Sequence, residues 1–456
     1  MKRLRLLCGA AAAAVAVAIA GMPAVSNATD SFYAYQGEKP LSSYAPGAVL
    51  KTRTVPYHLL NVPTPINALQ ILYRSTDAMG EATANVTSVL QPPVSSGPAK
   101  VISFQSFYDS LNPEDSPSRV VAGNAELLGF TPLTKGLNEN HLLDHVRSGG
   151  IIATTENTFF DPLLLAGFTI VLPDTEGQSA HFAAGPEYGK LTLDSLRAAR
   201  NVAATGITDS TKIGLMGYSG GSIASNWAAI EAPSYAPDVN KNLIGVAEGG
   251  VLVNPAHNMT YASGSFGWAG IVGMAVVGIA RSYHIDFDKY LNDYGKENVA
   301  RLQNASISNA FLQYAGLRFD QMVKPQYANP NSIPEYVEAA NKINMGTAPI
   351  PTVPMFIAQG TFGILEGTQA GPPGVGAGDG IMVAGDVRAL ANRYCDAGLK
   401  IHYDQYDTLS HVPSAMLWYP GAVGWLLDRF AGNPAPSNCG HIPAGNSLAP
   451  QQLQVG

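Results

Sequence analysis

The stretch Lys212-Ile213-Gly214-Leu215-Met216-Gly217-Tyr218-Ser219-Gly220-Gly221-Ser222-Ile223-Ala224 decides how this chain is read. Lys212 to Met216 is a short apolar run of strand character, and Ser222 to Ile230 has the pattern of a helix. Between them Gly217-Tyr218-Ser219-Gly220-Gly221 spells G-x-S-x-G. The chain has 47 glycines, so the pattern alone carries little weight. Its setting carries more. A serine on a sharp strand-to-helix turn stands clear on a strained backbone, the geometry of a nucleophile elbow. The residues two before and two after must be small, because strand and helix converge there. Gly217 and Gly221 meet that demand. The competing reading is a glycine-rich turn holding phosphate at a helix N-terminus. A dinucleotide site is excluded, because no G-x-G-x-x-G lies in a first strand–helix unit.

A serine hydroxyl needs a base, and the base needs an orienting carboxylate. On an α/β-hydrolase fold these follow in the order Ser, acid, His. Downstream lie His257, His284, His402, His411 and His441. His411 falls between the last strand and the last helix, where the base belongs. His402 lies within the strand, His257 and His284 in an insertion, and His441 in the tail. For the acid, Glu366, Asp379 and Asp386 follow the strand Val353 to Ala358. Asp386 has the look of a helix N-cap. Asp379 is favoured, with Glu366 second. An oxyanion hole needs two preorganised donors. The Gly220 N–H, just after the nucleophile, supplies one. Asp109, after the strand Lys100 to Phe104, is a candidate for the other and reads equally well as a turn or cap residue.

Outward from this core, strands are expected at Val49 to Leu60, Ala68 to Arg74, Phe168 to Val171, Leu243 to Val253 and Leu399 to Tyr406. Helices are expected at Lys190 to Ala204, Val387 to Ala397 and Val412 to Phe430, the last interrupted at Pro420. The alternation points to a mostly parallel central sheet flanked by helices. From about residue 254 to 349 the rhythm stops. Asp288 to Gln303, Ile307 to Arg318 and Ile333 to Ile343 read as helices of an inserted lid or cap. Phe266 to Ala280 is very apolar but glycine-broken and too short to span a bilayer. It lines an acyl pocket, faces lipid, or packs as core inside the cap.

Lys2, Arg3 and Arg5 followed by apolar Leu6 to Ala20 and Ser26-Asn27-Ala28 read as a secretory signal peptide over 1–28. A membrane anchor would need ~20 apolar residues. Removing the segment takes three positive charges and moves the net charge from −7 to −10. With no basic run beyond it, nucleic acid is not an expected partner. Charged residues make up 13% against the usual ~25%, while 46% apolar content excludes a disordered chain. The mature chain keeps Cys395 and Cys439, and in an oxidising compartment such a pair most simply forms one disulfide. Neither lies in a zinc-binding spacing.

With these residues placed, the chain resembles the secretory lipase family of α/β-hydrolases, found in fungi and actinobacteria. The resemblance runs through Ile71-Leu72-Tyr73-Arg74-Ser75-Thr76-Asp77, Tyr108-Asp109-Ser110, Pro173-Asp174-Thr175-Glu176-Gly177, Leu193-Asp194-Ser195-Leu196-Arg197-Ala198 and the serine motif. It ends on Tyr394-Cys395, His411 and Asp428-Arg429-Phe430-Ala431-Gly432. It implies Ser219 as nucleophile, Asp379 as acid, His411 as base, Asp109 and Gly220 at the oxyanion hole, and a Cys395–Cys439 disulfide. It implies a tail from about residue 433 that acts as a flap. One departure is a longer Gly/Pro-rich loop between Gln359-Gly360 and Asp379. The expected activity is a secreted serine ester hydrolase of lipase type, acting on lipid or small-molecule esters, at a lipid–water interface or retained at the cell envelope. It requires no metal or cofactor. The alternatives are a short-chain esterase or acyltransferase on the same fold, and a non-catalytic envelope-binding protein.

Overall fold

Strands buried on both faces read as continuous apolar runs, and strands with one wet face alternate. Both kinds occur here, and they divide one sheet in two. A computed structural model describes residues 30–94, 97–127, 129–130, 146–147 and 149–454, the two short pairs by backbone only. The expected signal peptide lies outside the described residues.

The strands are β1 (Val49–Leu59), β2 (Val62–Thr76), β3 (Ala82–Leu90), β4 (Val101–Gln105), β5 (Gly129–Phe130), β6 (Val146–Arg147), β7 (Thr169–Pro173), β8 (Ile213–Tyr218), β9 (Leu243–Gly249), β10 (Met355–Gly360) and β11 (Ile401–Tyr406). Nine of them form one sheet in the order β1-β2-β3-β7-β4-β8-β9-β10-β11, and β5 pairs with β6 apart from it. From β7 to β11 neighbours are parallel, whereas β1, β2 and β3 are antiparallel additions at one edge. β4, β7, β8 and β10 are buried along their whole length. This is the α/β-hydrolase fold that the sequence predicts.

Flanking helices are α1 (Pro117–Val121), α2 (Gly149–Thr155), α3 (Asn157–Leu165), α4 (Gly185–Arg200), α5 (Gly220–Tyr235) and α6 (Pro237–Asn240). Between β9 and β10 run α7 (Pro255–Ala262), α8 (Ala269–Ser282), α9 (Asp293–Leu302), α10 (Ile307–Ala310), α11 (Phe319–Met322) and α12 (Pro334–Lys342). α13 (Ala384–Asp396) and α14 (His411–Ala431) complete the order.

Several elements differ from the sequence expectation. β3 is missed, because its inner positions Asn85, Thr87 and Ser88 are polar yet buried. Asn85 Nδ2 spends itself on the Tyr73 hydroxyl and the Asp174 carbonyl. β1 and β2 form a hairpin around Leu60-Asn61, both at positive φ, the conformation a two-residue turn requires. β2 runs through Pro63 and Pro65, because residues 62–67 pair with β1 alone and leave one edge open. The helix expected over Ile307 to Arg318 stops at α10, where Leu312 and Gly316 take positive φ. α14 is continuous through Pro420. That proline is on the exposed side, so its missing N–H frees a carbonyl to water rather than to the core.

The tail from residue 433 covers the exposed edge of β11. Asn438 donates to the Tyr403 carbonyl, accepts the Tyr403 N–H, and gives its own N–H to the Ile401 carbonyl. Such an edge is otherwise an aggregation template. Further on, Asn344 Nδ2 donates to the Leu448 carbonyl and the Gln451 N–H reaches Asn341, so the tail straps the inserted helices. Cys395 and Cys439 form a disulfide that anchors the tail to α13.

The bridge closes a loop with a sequence separation of 44. On the chain-entropy view, Cys439→Ser should cost about 4 kcal/mol, read as an earlier urea midpoint. The wild type should move to the same midpoint under reducing conditions. Gly221→Ala would bring a Cβ to 2.1 Å from the Gln105 carbonyl oxygen. Thermal unfolding should report a loss of about 1–3 kcal/mol, whereas Gly424→Ala, with open space around it, should not destabilise.

Candidate active site

β8 ends and α5 begins within two residues, and the chain can turn so sharply only on a strained serine. Ser219 has φ 54° and ψ −121°, between Tyr218 on the strand and Gly220 on the helix. Its N–H donates to the Gly249 carbonyl at the end of β9. At Gly217 a Cβ would lie 2.2 Å from the Gly221 carbonyl oxygen. Both glycines are therefore demanded by close approach, as the motif predicts.

His411 is the first residue of α14, because the helix begins one residue earlier than the Val412 start expected from sequence. Its Nε2 lies 2.7 Å from Ser219 Oγ and its Nδ1 2.8 Å from Asp379 Oδ2. The His411 N–H also donates to the Asp379 carbonyl. Asp379 is fully buried, and its remaining capacity is filled. Oδ1 accepts the N–H groups of Ile381 and Met382, and Oδ2 accepts Gln359 Nε2 at 2.8 Å. Burial opposes charging of His411, but the Asp379 carboxylate, with Glu366 behind it, raises its pKa above the ordinary imidazole value. The Tyr218 hydroxyl donates to the His411 carbonyl, and the Trp268 ring stands edge-on to the imidazole at 5.1 Å.

The other two acid candidates lie elsewhere. Asp386 is in the first turn of α13 rather than at its N-cap, which is Val383. Its carboxylate takes His257 Nδ1 at 2.9 Å and Asn446 Nδ2 at 2.7 Å, joining α7, α13 and the tail. Glu366 accepts the Val412 N–H, an unpaired donor of the first turn of α14, and Trp268 Nε1 at 2.8 Å. His402 stacks on Phe356 at the sheet edge.

Asp109 is buried and takes φ 36°, a rare conformation for a non-glycine residue. Its carboxyl lies against the backbone of Gly220, where an added Cβ would fall 1.8 Å from Oδ1. Burial pushes its pKa up to about 8, against the pull of His411. Two residues that sequence reasoning missed hold its loop. Glu156 accepts the Ser106 hydroxyl and the Phe107 N–H. Glu176 accepts the Ser110 N–H at 3.1 Å. Burial raises both carboxyls well above the usual range. Nothing local marks either one, since Glu176 only sits inside a motif and Glu156 precedes a helix far along the chain. The same loop is bonded to the inserted helices. Ser110 bridges Ser306, the Leu111 N–H donates to the Ala305 carbonyl, and the Ile307 N–H to the Asp109 carbonyl.

Ser219, Gly220 and Asp109 form part of the wall of a cavity of about 110 Å³. The rest of the wall is almost wholly apolar. One stripe of α8, Val272, Ala275, Val276 and Ile279, faces it, with Phe287 and Ile343 beyond. The opposite face of α8 is packed, with Gly270 against Tyr314, Gly273 against Leu302 and Gly278 against the Phe182 backbone. So α8 lines the cavity on one face and packs within the insertion on the other. Among the described residues, no cluster of His, Cys, Asp and Glu is arranged to hold a metal ion.

Comparison with known proteins agrees with this architecture. The model of the secretory lipase family matches residues 145–438. Lipase 5 of Candida albicans is 30% identical over 428 residues, covering 91% of this chain and 83% of the relative. A protein of Mycobacterium tuberculosis described as a probable inactive lipase is 28% identical, covering 85% and 79%. Among solved structures, Candida antarctica lipase A in its closed state superposes with a TM-score of 0.75 at 23% identity, covering 93% of this chain and 91% of that one. That identity speaks for the fold alone. On the family match and the extent of the sequence likeness, the chain belongs to the secretory lipase family.

Proposed function

We propose that the protein is a secreted serine ester hydrolase that cleaves lipid carboxylic esters through an acyl-enzyme. One observation carries the reading: a single imidazole spans Ser219 Oγ and Asp379 Oδ2 at 2.7 and 2.8 Å, beside an apolar cavity. His411 takes the proton as Ser219 Oγ attacks the ester carbonyl. Asp379 fixes the imidazole tautomer and stabilises the imidazolium that forms. The Gly220 N–H and the neutral Asp109 carboxyl donate to the tetrahedral oxyanion. A carboxyl with a pKa of about 8 is protonated at neutral pH, so it can donate there. His411 returns the proton to the leaving alcohol, and water then hydrolyses the acyl-enzyme by the same steps. The acyl chain lies along α8, which supports a long chain over a short one. The inserted helices act as a lid or cap and the tail holds them down. Secretion rests on the N-terminal segment and on the secretory character of the family.

A non-catalytic binding protein is the competing reading, favoured by the relative described as probably inactive. Hydrolysis of p-nitrophenyl esters from short to long acyl chains separates the two. Ser219→Ala should lower kcat by about 10⁶-fold and Asp379→Asn by about 10⁴-fold. Ala275→Trp should suppress long-chain esters about tenfold or more and spare short ones. A wild type with no turnover on any ester would overturn the proposal.

The pH profile follows from two groups. His411 must be neutral to act as base, and its pKa is raised, so kcat/KM climbs with pH later than for an ordinary imidazole. Asp109 must be protonated to donate, so the rate falls again as pH passes about 8. Asp109→Asn keeps a donor and should remove that alkaline fall while preserving the acidic limb.

A further inference from the structure

Surface helices of water-soluble proteins carry charge on their outer face. α14 does not. Between His411 and Asp428 it has no Asp, Glu, Lys or Arg. Its inner residues, Trp418, Ala422 and Trp425, pack on the sheet side. Its outer ones include Val412, 56% exposed, Met416, 67% exposed, and Leu417, 51% exposed. A 3₁₀ turn at Gly363–Glu366 continues the surface, with Ile364 51% and Leu365 58% exposed. The two segments touch, since the Val412 N–H donates to Glu366 and the Phe362 N–H to the Leu409 carbonyl. Phe266, 60% exposed, adjoins them, because its N–H donates to the Gly367 carbonyl. Exposed apolar residues scattered singly mean little, but a contiguous group of this size marks an interaction surface.

The charge pattern selects what it meets. The one acidic group in the patch, Glu366, is tied to Trp268 and Val412. No lysine or arginine lies in 361–378 or 412–427, and the chain as a whole is at −7. Arg318, which packs against Gly264 beside Phe266, is ion-paired with Asp320, so the patch has no unpaired cation among these residues to attract an anionic headgroup. The surface also continues directly into the site: Val412 follows His411, and Phe266 lies two residues before Trp268 on the cavity wall. No helix among the described residues is long and apolar enough to cross a membrane, so α14 would lie on a lipid surface and not through it.

We propose that the outer face of α14, with the 362–365 turn and Phe266, docks on an uncharged ester-lipid surface such as an oil droplet. The substrate then meets the cavity without leaving the lipid phase. This rests on the ester-hydrolase reading for its purpose, and the test keeps the two apart. Wild type and a Met416→Glu/Leu417→Glu variant are floated with phosphatidylcholine-coated triolein droplets at about 0.05 M and about 1 M salt. Hydrolysis of dissolved p-nitrophenyl butyrate is measured beside flotation. The wild type should float equally at both salt levels. The variant should bind about a hundredfold more weakly, a factor of about ten for each exposed side chain lost from the interface. Its turnover of the dissolved ester should stay within about twofold, because neither residue lines the cavity. Leu417→Ser, a milder change, gives the same reading in smaller measure should the double variant not fold.

Equal flotation of variant and wild type would overturn the proposal. So would binding that needs phosphatidylglycerol and falls with salt, or sedimentation showing that the same substitutions only split a dimer. Wild type that floats but hydrolyses no ester would overturn the proposed function and leave the docking surface standing.

Discussion

The site depends on a close approach of backbones that leaves no room for a side chain. β8 and α5 converge so tightly that Gly217 faces the Gly221 carbonyl, and Gly221 faces that of Gln105 on β4. With no Cβ at either position, the turn between them is forced onto one residue, and that residue is Ser219 at positive φ. Strain of this kind persists only where the surroundings over-determine it. Here parallel pairing of β8 with β4 and β9 fixes both sides of the turn. The direction of the serine hydroxyl is thus a property of the sheet. His411 meets it from the start of α14, with Asp379 behind the imidazole and Asp109 against the Gly220 backbone, all at the same end of the strands.

Much of this was legible because it is local. The elbow needs small residues at fixed offsets, and a five-residue window displays them. His411 was legible from chain order. Asp379 was harder, because three acids follow β10 in close succession and nothing in sequence says which faces the imidazole. The polar strand β3 and the helices α1 to α3 were not legible. Asn85 is buried by partners that lie at Tyr73 and Asp174, far from it in the chain. Patterning cannot register a polar residue whose hydrogen bonds are all long-range. Glu156 and Glu176 escape notice for the same reason, since each acts on a loop in another segment.

Three buried carboxyls surround the 106–110 loop, and burial raises all of them. Charged together they would repel one another in a low-dielectric interior. Protonated, they act as hydrogen-bonding groups that fix a strained backbone. The folded state therefore favours the protonated carboxyls, and the loop is at its most secure below the pH at which they ionise. Stability from this cluster is lost as pH rises through their folded-state values.

The ladder between residues 109–111 and 305–307 joins the inserted helices to the loop that carries Asp109. A door hung on its own lock cannot swing wide without dismantling the lock. Gross displacement of the insertion would take Asp109 from the Gly220 backbone, and the oxyanion hole proposed there would go with it. At the Phe266–Trp268 end of α8 the insertion is held by the Trp268–Glu366 side-chain bond, by the Phe266 N–H on the Gly367 carbonyl and by the Leu312 N–H on the Gly267 carbonyl.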